Sequence, residues 1–178
     1  LDISESLGAK IIIRPPELSN DHATSESGWL HAINEIEKNF YKVDWVIAPQ
    51  VTSPLRKPED IKNLIKLVDS NKYDSFFSAC KLSDFFIWQM KNNTPKSMNF
   101  DWKNRKRRQD IEFQYVENGS LYAFRKSLIE KSHNRLGGKI GILPMEFWQM
   151  FEIDNKEDFR LCEAIMKEFI IGTMSNQK

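Results

Sequence analysis

Two short stretches carry residue types able to do chemistry together. Val46-Ile47-Ala48-Pro49-Gln50-Val51-Thr52-Ser53-Pro54-Leu55-Arg56 runs from an apolar strand into an amide, two hydroxyls and a guanidinium. The Gln50 amide both donates and accepts, which suits a polyhydroxylated ligand. Arg56 has two roles open to it. It can grip a carboxylate or phosphate bidentately, or it can brace the turn from below; the proline-led turn favours the brace. Thr52 and Ser53 are expected to hydrogen-bond backbone rather than ligand. Further on, Glu152 and Asp154 stand two residues apart. On a strand-like segment such residues point to one side, so both carboxylates can reach one hard cation such as Mg2+ (or Mn2+). Asp158 lies close by, but Asn155-Lys156-Glu157-Asp158 reads as a helix start with its acids near the positive dipole end.

Other chemistries find no support. His22, His31 and His133 form no cluster with metal-ligand spacing, and no Ser-His-Asp arrangement can be argued; His31 falls in an amphipathic helix and reads as structural. Cys80 and Cys162 stand alone and far apart, which excludes a CxxC site or a disulfide framework and fits a reducing, cytoplasmic setting.

The elements that must position these groups alternate along the chain. Leu1 to Lys10 reads as the end of a helix closed by Gly8, and Lys10-Ile11-Ile12-Ile13 as a short strand. The stretch from Arg14 to Ser27, with two prolines and small polar residues, is a loop. A helix is expected over 26–39, with Leu30, Ile33 and Ile36 or Phe40 on its apolar face and Ser25 as its N-cap. Strands follow over 44–48 and 74–80, separated by a helix opened by Lys57-Pro58. Residues 85–114 break the pattern as an aromatic, basic excursion that reads as a hairpin arm turning at 91–95. A strand over 115–124, a short helix from Ser127, a short strand over 137–143 and a final helix from Lys156 complete the chain. Phe159, Leu161, Ala164, Ile165 and Phe169 are expected to face inward on that last helix. Alternating strands and helices imply an α/β fold with a mainly parallel sheet and helices on both faces. Ligands bind such sheets outside the carboxyl ends of the strands, where the loops 14–27 and 49–56 fall.

The chain's 178 residues suit a single domain. With 40% hydrophobic residues, 29% charged residues and net charge +1, it reads as a globular chain with no global field for nucleic acid or a membrane surface. No run of apolar residues has the length of a membrane span. The basic run Lys103 to Arg108 reads as a solvated face, with Arg105 and Lys106 in water.

Four motifs in order carry a resemblance: RPPELSNDHATS at 14–25, QVTSPLR at 50–56, RRQD followed by ENGSLYAF between 107 and 124, and EIDNKEDF at 152–159. Together they resemble the cytidylyltransferases that make CMP-activated nonulosonic acids, the CMP-sialic acid synthetases and their legionaminic and pseudaminic relatives. The resemblance implies a Rossmann-like nucleotidyltransferase fold and transfer of CMP from CTP to the anomeric hydroxyl of a nonulosonic acid, releasing pyrophosphate with a divalent metal. It further implies that Arg14 and Ser25 contact the cytosine nucleotide and Gln50 the sugar acid. Arg108 and Gln109 would act at the sugar or phosphate end, and Asn118 would lie near ribose and sugar beside Gly119. Tyr122 would line the sugar pocket or fill core. Glu152 and Asp154 take the place of the family's Asp-x-Asp metal pair, with Asp154 also in a catalytic role. Pro49 and Val51 depart from the family's commoner LQPTSPLR wording, and Pro49 removes a ladder donor.

The excursion at 85–114 resembles the family's dimerisation arm, so Phe85, Phe86, Trp88, Phe100 and Trp102 are expected at a homodimer interface. The family begins with a strand and a glycine- and basic-rich phosphate loop that these residues do not include. The chain is accordingly expected to be an N-terminally incomplete enzyme, inactive alone. The alternatives are a non-catalytic nucleotide or sugar-acid binding remnant, or a transferase for a related octulosonate.

Overall fold

The computed structural model describes residues 2–82 and 85–172, the side chain of Arg108 apart. Its elements are α1 (Asp2–Ser6), α2 (Ser25–Asn39), β1 (Trp45–Pro49), α3 (Pro58–Asp69), β2 (Ser75–Leu82), β3 (Trp88–Lys91), β4 (Thr94–Ser97), β5 (Gln114–Arg125), α4 (Lys126–Ser132), β6 (Ile140–Met145) and α5 (Lys156–Met166). Gly8 closes the turn after α1 in a left-handed conformation, φ 86°, with its N–H on the Glu5 carbonyl.

One sheet has the order β1-β5-β2-β6, and β3 pairs with β4 in a separate hairpin. Strand β1 runs antiparallel to β5, with Trp45 opposite Arg125 and Pro49 opposite Leu121. The sheet therefore departs from an all-parallel layout at this edge, as α/β sheets often do. Lys10–Ile13 forms no strand, contrary to expectation. β-branched residues make a strand only where a neighbour takes their backbone groups; here Ile13 is 76% exposed and its carbonyl meets only His31 Nε2, at 3.3 Å.

The chain divides into two compact units. The first comprises Leu1–Pro49, Ile61–Phe77 and Leu121–Ile142; the second comprises Gln50–Asp60, Ser78–Ser120 and Leu143–Lys178. In the first unit, Ile33, Ala48, Tyr122, Phe124 and Ile129 form the core, with Trp29 and Val46 packed against it. Thr24, not Ser25, caps α2: its hydroxyl accepts from Ser27 N at 3.2 Å, because the helix starts one residue earlier than its periodicity indicates.

In the second unit, Leu55, Ala79, Cys80, Met145 and Cys162 are buried. The last helix buries Cys162 and, in the turn that continues it, Ile170, while Phe159, Leu161 and Phe169 stay 43–57% exposed. The expected inward face is thus rotated, and Phe169 instead stacks on Trp148 at 5.1 Å. The hairpin turns at Asn92 and Asn93, both at positive φ (49° and 60°), the geometry that matches strand twist in a two-residue turn. Phe86 and Phe100 pack on each other at 4.6 Å, with the Arg105 guanidinium over the Phe86 ring at 4.5 Å. They belong to the arm's own small cluster, and Arg105 stays exposed to water, as expected, while covering the Phe86 ring. Phe85, Trp88 and Trp102 remain about half exposed.

Candidate functional site

The turn after β1 is organised by one guanidinium. Arg56 Nη1 donates to the carbonyls of Gln50 (2.9 Å), Ser53 (2.7 Å) and Ser120 (2.8 Å), and to Ser120 Oγ at 3.2 Å. Its bracing role is therefore the one the structure holds. Burial pushes the guanidinium below its ordinary pKa, and the Asp60 charge opposes that shift. Gln50 N donates to Ser120 O at 3.1 Å, which carries the sheet ladder one residue past β1. The Gln50 side chain is half-buried, and its amide has no hydrogen-bond partner among the described residues. Backbone held and side chain free is the arrangement a ligand-contacting amide requires.

Ser53 differs from expectation. The residue is 1% exposed, and its Oγ has no hydrogen-bond partner among the described residues. Gly119 lies beside it at φ +64°, and a Cβ there would sit 3.3 Å from Glu152 Oε2 and 3.7 Å from Ser53 Oγ. Glycine suits the left-handed backbone here, and a Cβ would push the Glu152 carboxylate aside by a few tenths of an ångström.

Asn118 is 4% exposed and turned into the protein. Its Oδ1 accepts from Ser78 Oγ at 2.6 Å and Ser120 N at 3.3 Å; its Nδ2 donates to the Gln149 carbonyl at 3.0 Å. With both ends of the amide engaged, Asn118 positions the strand rather than meeting a ligand. Gln149, which the sequence reading passed over, is the hub of this network. It is 1% exposed, donates to Leu55 O (2.9 Å) and Asp60 Oδ2 (2.7 Å), and accepts from Glu146 N (2.9 Å). Asp60 Oδ2 also accepts from Lys57 N at the start of α3. A glutamine amid Phe147, Trp148 and Met150 gives no local signal of partners about ninety residues away.

Glu152 and Asp154 are exposed, with partly buried Ile153 between them. The segment is not a strand: Ile153 N makes a single bond, to Thr52 O at 2.7 Å. Asp158 Oδ2 accepts from Asp154 N and Asn155 N, while Asn155 Oδ1 accepts from Glu157 N and Asp158 N, a reciprocal cap on α5. Asp158 belongs to the helix, as its spacing suggests. No group of three or more His, Cys, Asp or Glu side chains is placed to hold a metal among the described residues. Two exposed carboxylates nonetheless fit Mg2+, which keeps several waters and takes one or two carboxylates along with substrate phosphates. Gln109 is exposed in a single 3-10 turn, Arg108–Asp110, beside the Arg107–Asp110 pair at 2.8 Å. The side chain of Arg108 lies outside the described residues.

In the first unit, Arg14 and Ser25 line one pocket of about 230 Å3 with Ile12, Gly28, Trp29 and His31. Arg14 is exposed and donates to Leu18 O at 3.3 Å, instead of pairing with Glu17 or Asp21. Its guanidinium lies against α2 where Gly28 has no side chain, 3.2 Å from the position of a Cβ. Tyr122 is 5% exposed among core residues, with the Arg135 guanidinium 4.7 Å from its ring. It fills core and lines no pocket with Arg14 or Ser25.

No family model matches the chain. N-acylneuraminate cytidylyltransferase A of Danio rerio is 31% identical over 165 residues, covering 91% of this chain and 37% of that protein. N-acylneuraminate cytidylyltransferase of Oncorhynchus mykiss is 28% identical over 170 residues, covering 94% of this chain and 38% of that protein. Post-translational flagellin modification protein B of Campylobacter coli is 25% identical over 162 residues, covering 87% and 67%. The chain thus spans less than two fifths of the length of the first two relatives. Among solved structures, 4-diphosphocytidyl-2C-methyl-D-erythritol synthase from Anaerococcus prevotii superposes with a TM-score of 0.61 at 14% identity, covering 94% of this chain and 72% of that one. The resemblance drawn from the four motifs is borne out by curated homologues over most of the chain, and the expected α/β nucleotidyltransferase fold by this structural neighbour.

Proposed function

We propose that this chain is part of an enzyme that transfers CMP from CTP to a nonulosonic acid. The observation that carries the reading is its similarity, along 91% of its length, to a protein named N-acylneuraminate cytidylyltransferase. In the reaction the anomeric hydroxyl attacks the α-phosphorus of CTP, the bond to the bridging oxygen of the β-phosphate breaks, and pyrophosphate leaves. Arg14 and Ser25 take the nucleotide. Gln50 takes hydroxyl or carboxylate groups of the sugar acid, its backbone fixed by Arg56 and Ser120. Arg108 and Gln109 serve the sugar or phosphate end, and Asn118 keeps β5 in place through Ser78 and Gln149. Glu152 and Asp154 would hold a divalent cation, which neutralises phosphate charge when bound. The half-exposed Trp88 and Trp102 of the arm fit the surface of a second copy. No described helix is long and apolar enough to cross a membrane.

The test is pyrophosphate release by the full-length protein with CTP, Mg2+ and a panel of nonulosonic acids. Turnover with at least one acid is expected; none with any acid overturns the reading. In the active protein Gln50→Ala should raise KM for the acid about tenfold, the worth of one lost polar contact. Thermal stability should stay unchanged, because the Gln50 amide holds no described protein group.

A further inference from the structure

We propose that Gln149 is a positioning residue that holds the Glu152–Asp154 segment at a fixed spacing from Gln50. Its part in the reaction rests on the reading of Gln50, Glu152 and Asp154 given above; the hydrogen bonds do not. The segment that carries the two carboxylates is fastened to the turn after β1 on both sides of Glu152. On one side Gln149 Nε2 donates to Leu55 O at 2.9 Å, and on the other Ile153 N donates to Thr52 O at 2.7 Å. The two stretches therefore pass each other in opposite directions, Gln149 by Leu55 and Ile153 by Thr52. The same Nε2 also donates to Asp60 Oδ2 at 2.7 Å, and that oxygen accepts from Lys57 N at 2.8 Å where α3 begins. Gln149 Oε1 accepts from Glu146 N at 2.9 Å, so both ends of this 1% exposed amide are engaged. A second route runs from the Gln149 main chain to Gln50. The Gln149 carbonyl accepts from Asn118 Nδ2 at 3.0 Å, Asn118 Oδ1 accepts from Ser120 N at 3.3 Å, and Ser120 O accepts from Gln50 N at 3.1 Å. Gly119, between Asn118 and Ser120, is the residue the Glu152 carboxylate lies against. An apolar side chain of equal length would fill the same volume but leave Leu55 O and Asp60 Oδ2 without this donor. A small displacement of a substrate-positioning group is costly, on the order of a hundredfold in rate for about 1 Å.

The experiment compares the full-length protein with its Gln149→Met and Ile129→Val variants. Methionine matches the length of glutamine without its hydrogen bonds. Ile129 lies in the core of the first unit, so trimming it lowers stability away from the turn. Two readouts are taken at a temperature where all three proteins are folded. One is the backbone amide signal of Gln50 in protein labelled with 15N-glutamine, assigned by its loss in Gln50→Ala. The other is steady-state kinetics with the nonulosonic acid. Gln149→Met should move the Gln50 signal and lower kcat/KM for the acid about tenfold, while Ile129→Val leaves both unchanged. A Gln50 signal that stays in place overturns the proposal. So does an unchanged kcat/KM in a Gln149→Met protein whose thermal midpoint has dropped, because Gln149 then serves stability alone. If Gln149→Met does not fold, Asp60→Asn takes its place. It gives the same amide a neutral acceptor instead of a charged one and should show the same signs at smaller size; an unmoved Gln50 signal there overturns the proposal equally. A signal that moves in a protein that turns over no acid supports the hydrogen-bonded link and overturns the reading of the site.

Discussion

Arg56 shows how one side chain can replace several. Three carbonyls converge on its Nη1, from positions 50, 53 and 120, and no nearby backbone donor serves all of them. Arg56→Ala should destabilise the chain by about 1–3 kcal/mol in urea, because the Ser53 carbonyl loses its donor while Ser120 O keeps only Gln50 N and Gln50 O only a long contact from Ser53 N. Lysine should recover only part of the loss, since its ammonium reaches less far from the backbone than the Nη1 that makes these contacts. A loss below about 0.5 kcal/mol would show that the carbonyls find other donors. This role was legible from sequence, because a cation a few residues past a proline-led strand end has few other tasks. Gln149 was not legible, because its partners Leu55 and Asp60 are remote in the chain. Ser53 was legible only in part: the turn needs a small residue there, but nothing local says that its hydroxyl is buried with no partner among the described residues.

Helix α2 is tied to the loop after α4 by Glu26 and Arg135, 2.7 Å apart and both largely buried as side chains. Burial raises the Glu26 pKa, but the hydrogen bond and charge of Arg135 outweigh it, and the carboxyl sits below its ordinary value. Its contribution is therefore complete above the unfolded carboxylate range and drains away as pH falls through the lower folded value. Glu26→Gln should flatten the acid limb of the stability-against-pH curve and leave its alkaline limb alone; identical acid limbs in urea titrations at several pH values would refute this. The Arg135 guanidinium also covers Trp29 at 4.6 Å, so Arg135→Ala should remove packing as well as charge. Most elements could be read from periodicity, including α2, α3, β1, β2 and the hairpin turn. The exceptions share one cause. Lys10–Ile13 has strand residues but no pairing partner among the described residues, and the Glu152–Asp154 segment has strand spacing but one bond between backbone groups there. The last helix carries apolar residues on more than one face, and packing around Cys162 selects the face that is buried. In each case a tertiary neighbour decides, and local pattern does not contain it.

Across the whole molecule, reactive groups are sealed rather than displayed. Burial pushes the Cys80 thiol up to about 11 while its Sγ–H donates to Glu146 O at 3.1 Å, and burial likewise raises Cys162. Since the thiolate is the reacting species, neither cysteine should react with a thiol reagent at about pH 8 until the chain unfolds. Labelling of Cys80 faster than unfolding, followed by mass spectrometry, would contradict this. The Asn118–Gly119 pair extends the same principle to time. An asparagine followed by glycine is where chains age: the glycine nitrogen attacks the side-chain amide carbon, ammonia leaves a cyclic succinimide, and water opens that ring to aspartate or isoaspartate. That attack needs the amide to swing free, and here Ser78 and Gln149 hold it from both ends. Deamidation at Asn118 should therefore proceed only through unfolded molecules, so its rate on storage becomes a clock for how often this part of the chain opens.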